Sequence, residues 1–362
     1  MSTLLNIWGT IQRQLFPGLE CEIGPLTEKE KDLIQIIALL DLPRHLRSYQ
    51  WQGWGRKPKS RLAICKAFIA KAVYRLETTD LLIEYLKGST SFRRLCGFEG
   101  AWQIPSKSTF SRAFSQFSKD QMLSDILKGL IKDKLGDKIV GHISRDATAI
   151  KAREKPVRKK VKAKSKRKRG RPRKSEVRPP QPKKRLDLQP ERKLDENLFE
   201  LPTQCDYGIK KNSKGHRNGW IGYKLHLDCA DGDIPISAIL TSASMHDSQA
   251  AIPLAQMSAE RVTSLYDLMD AAYDAPQIHE YSAKLGHVPI IDNNPRSGEK
   301  KYMDPATKAR FAERGAAERV NSDLKDNYGG SHVRVKGASK VMTHLMFGLV
   351  AIAAKQIIRL II

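Results

Sequence analysis

The sequence predicts an α/β fold, a mixed sheet with flanking helices, preceded by an all-helical N-terminal domain. Three observations carry this. Residues 1–136 read as mostly helical, with apolar residues recurring at helical spacing. From about 203 onward, strand patterns alternate with helical ones. Between these lies one strand at 138–144, cut off from the rest by a stretch too basic and proline-rich to bury a core. With 362 residues, 40% of them hydrophobic, the chain can hold one or two cores of ordinary size.

In order along the chain, Thr27 with Glu30 three residues on forms a capping box ahead of Leu33, Ile36, Ile37 and Leu40, and Pro43 ends that helix. A second helix covers about 60–76, and a third starts near Thr79. Pro105 to Arg112 reads as a turn and a short polar helix with hydroxyls and basic groups at its start, a form suited to a recognition helix or to an ordinary bundle helix. After the strand at 138–144 come Arg145 and Asp146. Residues 220–228 and 234–241 form a hairpin about Asp231-Gly232-Asp233. Helix 246–257, strand 264–269 closing at Asp270, helix 277–285, strand 288–291, one long helix at about 305–326 and a C-terminal helix from 339 complete the reading.

The net charge of +25 favours a polyanionic partner, most often nucleic acid. Residues 151–193 hold 21 lysines and arginines against four acids, which is most of that surplus, and are expected to be disordered when free. The apolar run 345–354 is followed by Lys355 and Arg359 and reads as a core helix, so no membrane partner is expected. The start of the chain has no secretory pattern. Five scattered cysteines without a Cys-x-x-Cys pair suit a reducing interior, and the expected location is cytoplasmic.

Chemistry concentrates in three carboxylates. Asp146 and Asp270 follow expected strands, and Glu318 lies in an expected helix. Three carboxylates without a thiol or histidine partner suit a hard cation such as Mg²⁺. On a continuous helix Phe311, Arg314, Glu318 and Lys325 would share one face, so that cations for phosphate flank a metal-binding acid. A plain Arg314–Glu318 surface pair accounts for the same spacing. Within the basic stretch, Lys166 and Lys168 lead into Arg169-Gly170-Arg171-Pro172, which resembles an AT-hook core. A plain polybasic clamp is the alternative. Histidines 216, 226, 246 and 279 lack ligand spacing.

Phe311-x₂-Arg314-x₃-Glu318-x₆-Lys325 resembles the Y-x₂-R-x₃-E-x₆-K signature of bacterial insertion-sequence DDE transposases, with Phe replacing Tyr. Arg145-Asp146-Ala147-Thr148 is similar to their first-aspartate strand. Residues 222–226 and 241–248 resemble the hairpin that follows, and Asp270-Ala271-Ala272-Tyr273-Asp274 their D-x-G-Y-D segment, with Ala272 where glycine is usual. Residues 92–114 resemble their helical N-terminal region.

The resemblance implies a ribonuclease-H-like catalytic domain over 137–150 and 203–350, with a helical DNA-binding and dimerisation domain at 1–136. A basic insertion, expected to be disordered, would fill 151–202, and 351–362 would be the end of the last helix. It implies Asp146, Asp270 and Glu318 as catalytic ligands of two Mg²⁺ or Mn²⁺ ions, with Asp274 a turn residue. Arg314 and Lys325 would contact DNA, and Arg112 of the polar helix and Lys166, Lys168, Arg169, Gly170 and Arg171 of the basic stretch are further expected DNA contacts. The implied activity is binding of terminal inverted repeats in double-stranded DNA, cleavage at the element's ends and transfer of the 3′-OH to target DNA by a homodimer. A non-catalytic DNA-binding derivative and a metal-dependent nuclease that only cuts are the alternatives.

Overall fold

The computed structural model describes residues 2–46, 51, 53–55, 58–157, 183–211, 215–293 and 302–360. The N-terminal region is a helical array: α1 (Ser2–Thr10), α2 (Phe16–Ile23), α3 (Glu28–Leu39), α4 (Leu42–His45), α5 (Arg61–Val73), α6 (Thr79–Gly88), α7 (Thr90–Leu95), α8 (Lys107–Lys119) and α9 (Met122–Leu135). The capping box read from sequence forms at α3: Thr27 Oγ1 accepts from the Glu30 amide, and the Glu30 carboxylate accepts from the Thr27 amide.

The sheet begins with β1 (Ile139–Lys151). After α10 (Arg185–Leu188) and α11 (Leu194–Glu200) come β2 (Asp206–Lys211), β3 (Arg217–Ala230) and β4 (Ile234–Ser242). Then follow α12 (Ser248–Ala259), β5 (Thr263–Met269), α13 (Pro276–Lys284) and β6 (Val288–Ile291). The path β2-β3-β1-β5-β6 is antiparallel on its first half and parallel from β1 to β6, with β4 paired to β3. This mixed sheet with flanking helices after a helical region is the ribonuclease-H-like α/β arrangement expected.

The chain closes with α14 (Pro305–Ala312), α15 (Gly315–Asn327) and α16 (Ala338–Arg359). α16 has the length and composition of a membrane span, yet 78% of its most apolar window is buried inside the molecule. It packs against α3, α5, α8 and α9 on one side and β4 on the other, so a single apolar core runs from the N-terminal helices to the sheet. Leu345, Leu349, Val350, Ala353 and Ala354 are fully buried along it.

Four sequence expectations are corrected. β1 does not end before Asp146: it pairs with β3 out to Lys151, so Asp146 lies inside a strand. β2 was not foreseen. Residues 183–202 were assigned to a disordered insertion but carry α10 and α11, which dock on α12 through Gln189 and Asn197. The long helix expected at 305–326 is two helices, broken at Glu313 and Arg314.

Gly222 shows how tightly the sheet is built at its centre. Its φ is +149°, and a Cβ there would stand 2.1 Å from the Ile150 carbonyl oxygen, so no other residue fits this crossing of β1, β2 and β3.

Candidate active site

Pairing between β1 and β5 stops at Arg145 opposite Met269. Asp146 is the next residue of β1 and Asp270 the first residue after β5, so the point where β1 outruns β5 brings both carboxylates to one cleft. Asp270 Oδ1 accepts from the Ala272 amide at 2.9 Å, which fixes the turn after β5. Asp146 is mostly buried. Burial pushes its pKa up and the nearby Asp270 charge adds to this, while the Ala147 amide, Lys210 and Arg314 oppose it.

The third acid arrives through the break between α14 and α15. Ser144, buried two positions before Asp146, donates to the Arg314 carbonyl and accepts from the Ala317 amide at 3.3 Å. One hydroxyl thus serves the carbonyl of the residue that caps α15 and an amide of its first turn that has no intrahelical partner, and it ties the start of α15 to β1. Glu318 follows one turn later, half-exposed over the end of the sheet. Asn321, a further turn on, donates to Asp146 Oδ2 at 3.2 Å. Lys325 donates to Thr148 Oγ1.

The result is one open cleft lined by Asp146, Asp270, Glu318, Arg314, Lys325, Thr148, Lys210, Asn321 and Ser322. It gathers all three predicted acids and two predicted cations. Lys210, contributed by β2, was missed in the sequence because the strand that carries it was missed. The cleft holds no thiol or imidazole, and its donors are oxygens. Asn321 Oδ1 is buried without a hydrogen-bond partner beside Asp146. A carboxylate-rich, oxygen-only set with one idle carbonyl fits a hard divalent cation. As placed, Glu318 is drawn to Arg314 at 2.8 Å. Among the described residues no three His, Cys, Asp or Glu side chains stand close enough to share an ion.

Other predicted residues stand elsewhere. Arg112 lies on the exposed face of α8 beside Ser111, Gln116 and Lys119, outside the cleft. Lys166, Lys168, Arg169, Gly170 and Arg171 lie outside the described residues. Asp274 pairs with His279 at 3.2 Å and does not line the cleft. His226 is buried and bonds Thr241 Oγ1, and burial lowers its pKa to about 4.

Beneath the carboxylates lies a buried charge network. Arg145, between β3 and β5, makes two hydrogen bonds to Asp228, at 2.7 and 2.8 Å, and a third to the Met269 sulfur. Burial opposes the guanidinium charge, but Asp228 more than offsets this and raises the pKa. Asp228 also accepts from Ser258 Oγ on α12 at 2.7 Å. The strands bearing Asp146 and Asp270 are therefore cross-braced directly below those residues.

Two family comparisons bear on this arrangement. Residues 187–353 match the family described as "Transposase DDE domain", and residues 22–116 match "Transposase domain (DUF772)". The first match begins after Asp146, which joins the cleft through the sheet rather than through the matched stretch. No curated protein and no solved structure matches the chain. Together the two matches, over separate stretches of the chain, indicate an insertion-sequence transposase of the DDE family.

Proposed function

We propose that this transposase cleaves DNA at the ends of its element and joins the freed 3′-OH to target DNA, with Asp146, Asp270 and Glu318 as the catalytic carboxylates. The observation that carries the reading is the meeting of these three acids in one cleft, with Arg314, Lys325 and Lys210 beside them. DDE transposases generally use divalent metal ions. Here the three carboxylates, with Asn321 Oδ1 beside them, would hold Mg²⁺ or Mn²⁺. Two ions bound there would supply an activated water or hydroxyl on one side of the phosphate and stabilise the leaving oxygen on the other.

The chain's own part is to hold and orient. Asp146 and Asp270 are fixed by a braced sheet, so they need no rearrangement. Glu318 must leave Arg314 to join them. A DNA phosphate entering the cleft gives Arg314 a new anionic partner, which frees the carboxylate as substrate arrives. Lys325 and Lys210, on the Thr148 side, steady the phosphate backbone. The spacing of Phe311, Arg314, Glu318 and Lys325 supports placing the chain in the Y-R-E-K group, with Phe311 lacking the tyrosine hydroxyl. Two copies of the chain would pair the element's two ends, as the resemblance implies.

The test is a supercoiled plasmid carrying the DNA that flanks the gene, incubated with the protein and Mg²⁺. Joined products support the proposal. Cuts without joining favour a nuclease, and binding without reaction favours a DNA-binding derivative.

A further inference from the structure

A second cleft, larger than the catalytic one, lies between the N-terminal helices and the segment joining α15 to α16. Lys107, Arg153, Arg334, Lys336 and Lys340 line it. Its two acids are already engaged: Glu77 with Arg334 and His332, and Asp80 with Lys107. Arg153, Lys336 and Lys340 are exposed, and among the described residues they make no ion pair with any carboxylate.

Two elements run from one cleft to the other. β1 runs from Asp146 and Thr148 in the first to its end at Lys151, and Arg153, two residues on, lines the second. α15 runs from Glu318 past Lys325 to Tyr328, which lines the second. Lys151 and Lys210 are likewise exposed and, among the described residues, free of ion pairs. Burial, and then the charge of Lys210, hold Lys325 below the usual lysine range, and Lys151 adds to this. Exposed cations thus continue along the seam beyond the three carboxylates.

We propose that this seam is a track for duplex DNA, on which Lys210, Lys325, Lys151, Arg153, Lys336 and Lys340 follow the phosphates away from the carboxylates toward α8. From Asp146 to Lys151 alone β1 advances roughly 17 Å, the length of about five base pairs. The far wall is built on α5 and α8, which share a core with α16. The track is therefore preset by the fold, and the N-terminal helices contribute one side of it. The inference rests on the proposed function only for its direction, with the reacting phosphate at the carboxylate end.

The test is duplex binding by fluorescence anisotropy in EDTA, which removes catalysis from the readout. The full chain is compared with R153E/K336E/K340E and with a control, K87E/K132E/K284E, that changes the same charge at exposed sites off the track. With a labelled duplex of about 30 base pairs at about 50 to 200 mM salt, the track variant should bind about tenfold or more weakly. Its log–log salt slope should be shallower by about 3, from about 0.9 per phosphate contact. The control should lose distinctly less. R153Q/K336Q/K340Q should show the same change in slope, which guards against misfolding of the charge-reversed protein. A track variant that binds as the unaltered chain does, or no more weakly than the control, overturns the proposal. So does a selective loss on anionic vesicles with duplex binding intact. D146N, D270N and E318Q should bind the duplex normally in this assay. A failure of catalysis is thereby distinguished from a failure of the track.

Discussion

Ser144 carries more of the site's geometry than its size suggests, because its hydroxyl fastens the start of α15, just past the gap that separates it from α14, to β1. Nothing in the 311–325 spacing marks that gap. Without a proline, a carboxylate and two cations at helical intervals read as one helix, and Gly315 is the only local hint. The break is imposed by a tertiary partner 170 residues away. Ser144→Ala should leave the Arg314 carbonyl and the Ala317 amide without that partner. The expected cost is about 2 kcal/mol by chemical denaturation, together with slower cleavage at unchanged duplex affinity. Full stability with normal cleavage would show that the hydroxyl does not set the position of Glu318. Asp146 and Asp270 were legible as candidates because a carboxylate after an apolar β-run has few structural uses, and Glu318 because it stands between two cations at helical spacing. Lys210 was not, since a lysine in an unassigned loop carries no signal.

At the scale of elements, the sheet explains both what was read correctly and what was missed. β3, β4, β5 and β6 are apolar runs between turn residues and stand within a few residues of the expected bounds. β2 is a peripheral strand whose Tyr207 and Ile209 stay exposed, so it lacks the half-buried alternation that identifies a strand. β1 was cut short because its second half carries polar and small residues, and only its pairing with β3 keeps it extended. The brace under that pairing gives a sharp expectation. Asp228→Asn should leave the Arg145 guanidinium buried without its counter-charge, at a cost of about 3 to 5 kcal/mol. The measurement is urea denaturation. A loss below about 1 kcal/mol would mean that the pair does not brace the strands.

Over the whole molecule, the helical region and the sheet were expected as separate domains, but their apolar residues meet on α16. The sequence marked α16 as a core helix without saying whose core, since an all-round apolar helix carries no directional stripe. The same continuity gives the two clefts a common frame. Ala353, fully buried on α16, tests it: Ala353→Asp places a charge where both regions pack. Under limited proteolysis, residues before 136 and residues of the sheet should become cleavable together. A resistant sheet left after digestion of the helices would show two independent cores.

The central claim is that Asp146, Asp270 and Glu318 form one metal site. Its most direct measurement is Mn²⁺ binding by electron paramagnetic resonance, with duplex DNA present so that Arg314 has phosphate to engage. The unaltered chain should bind Mn²⁺, and D146N, D270N and E318Q should each weaken that binding by about tenfold or more while still binding the duplex. Equal Mn²⁺ affinity in all three variants and the unaltered chain would contradict the account.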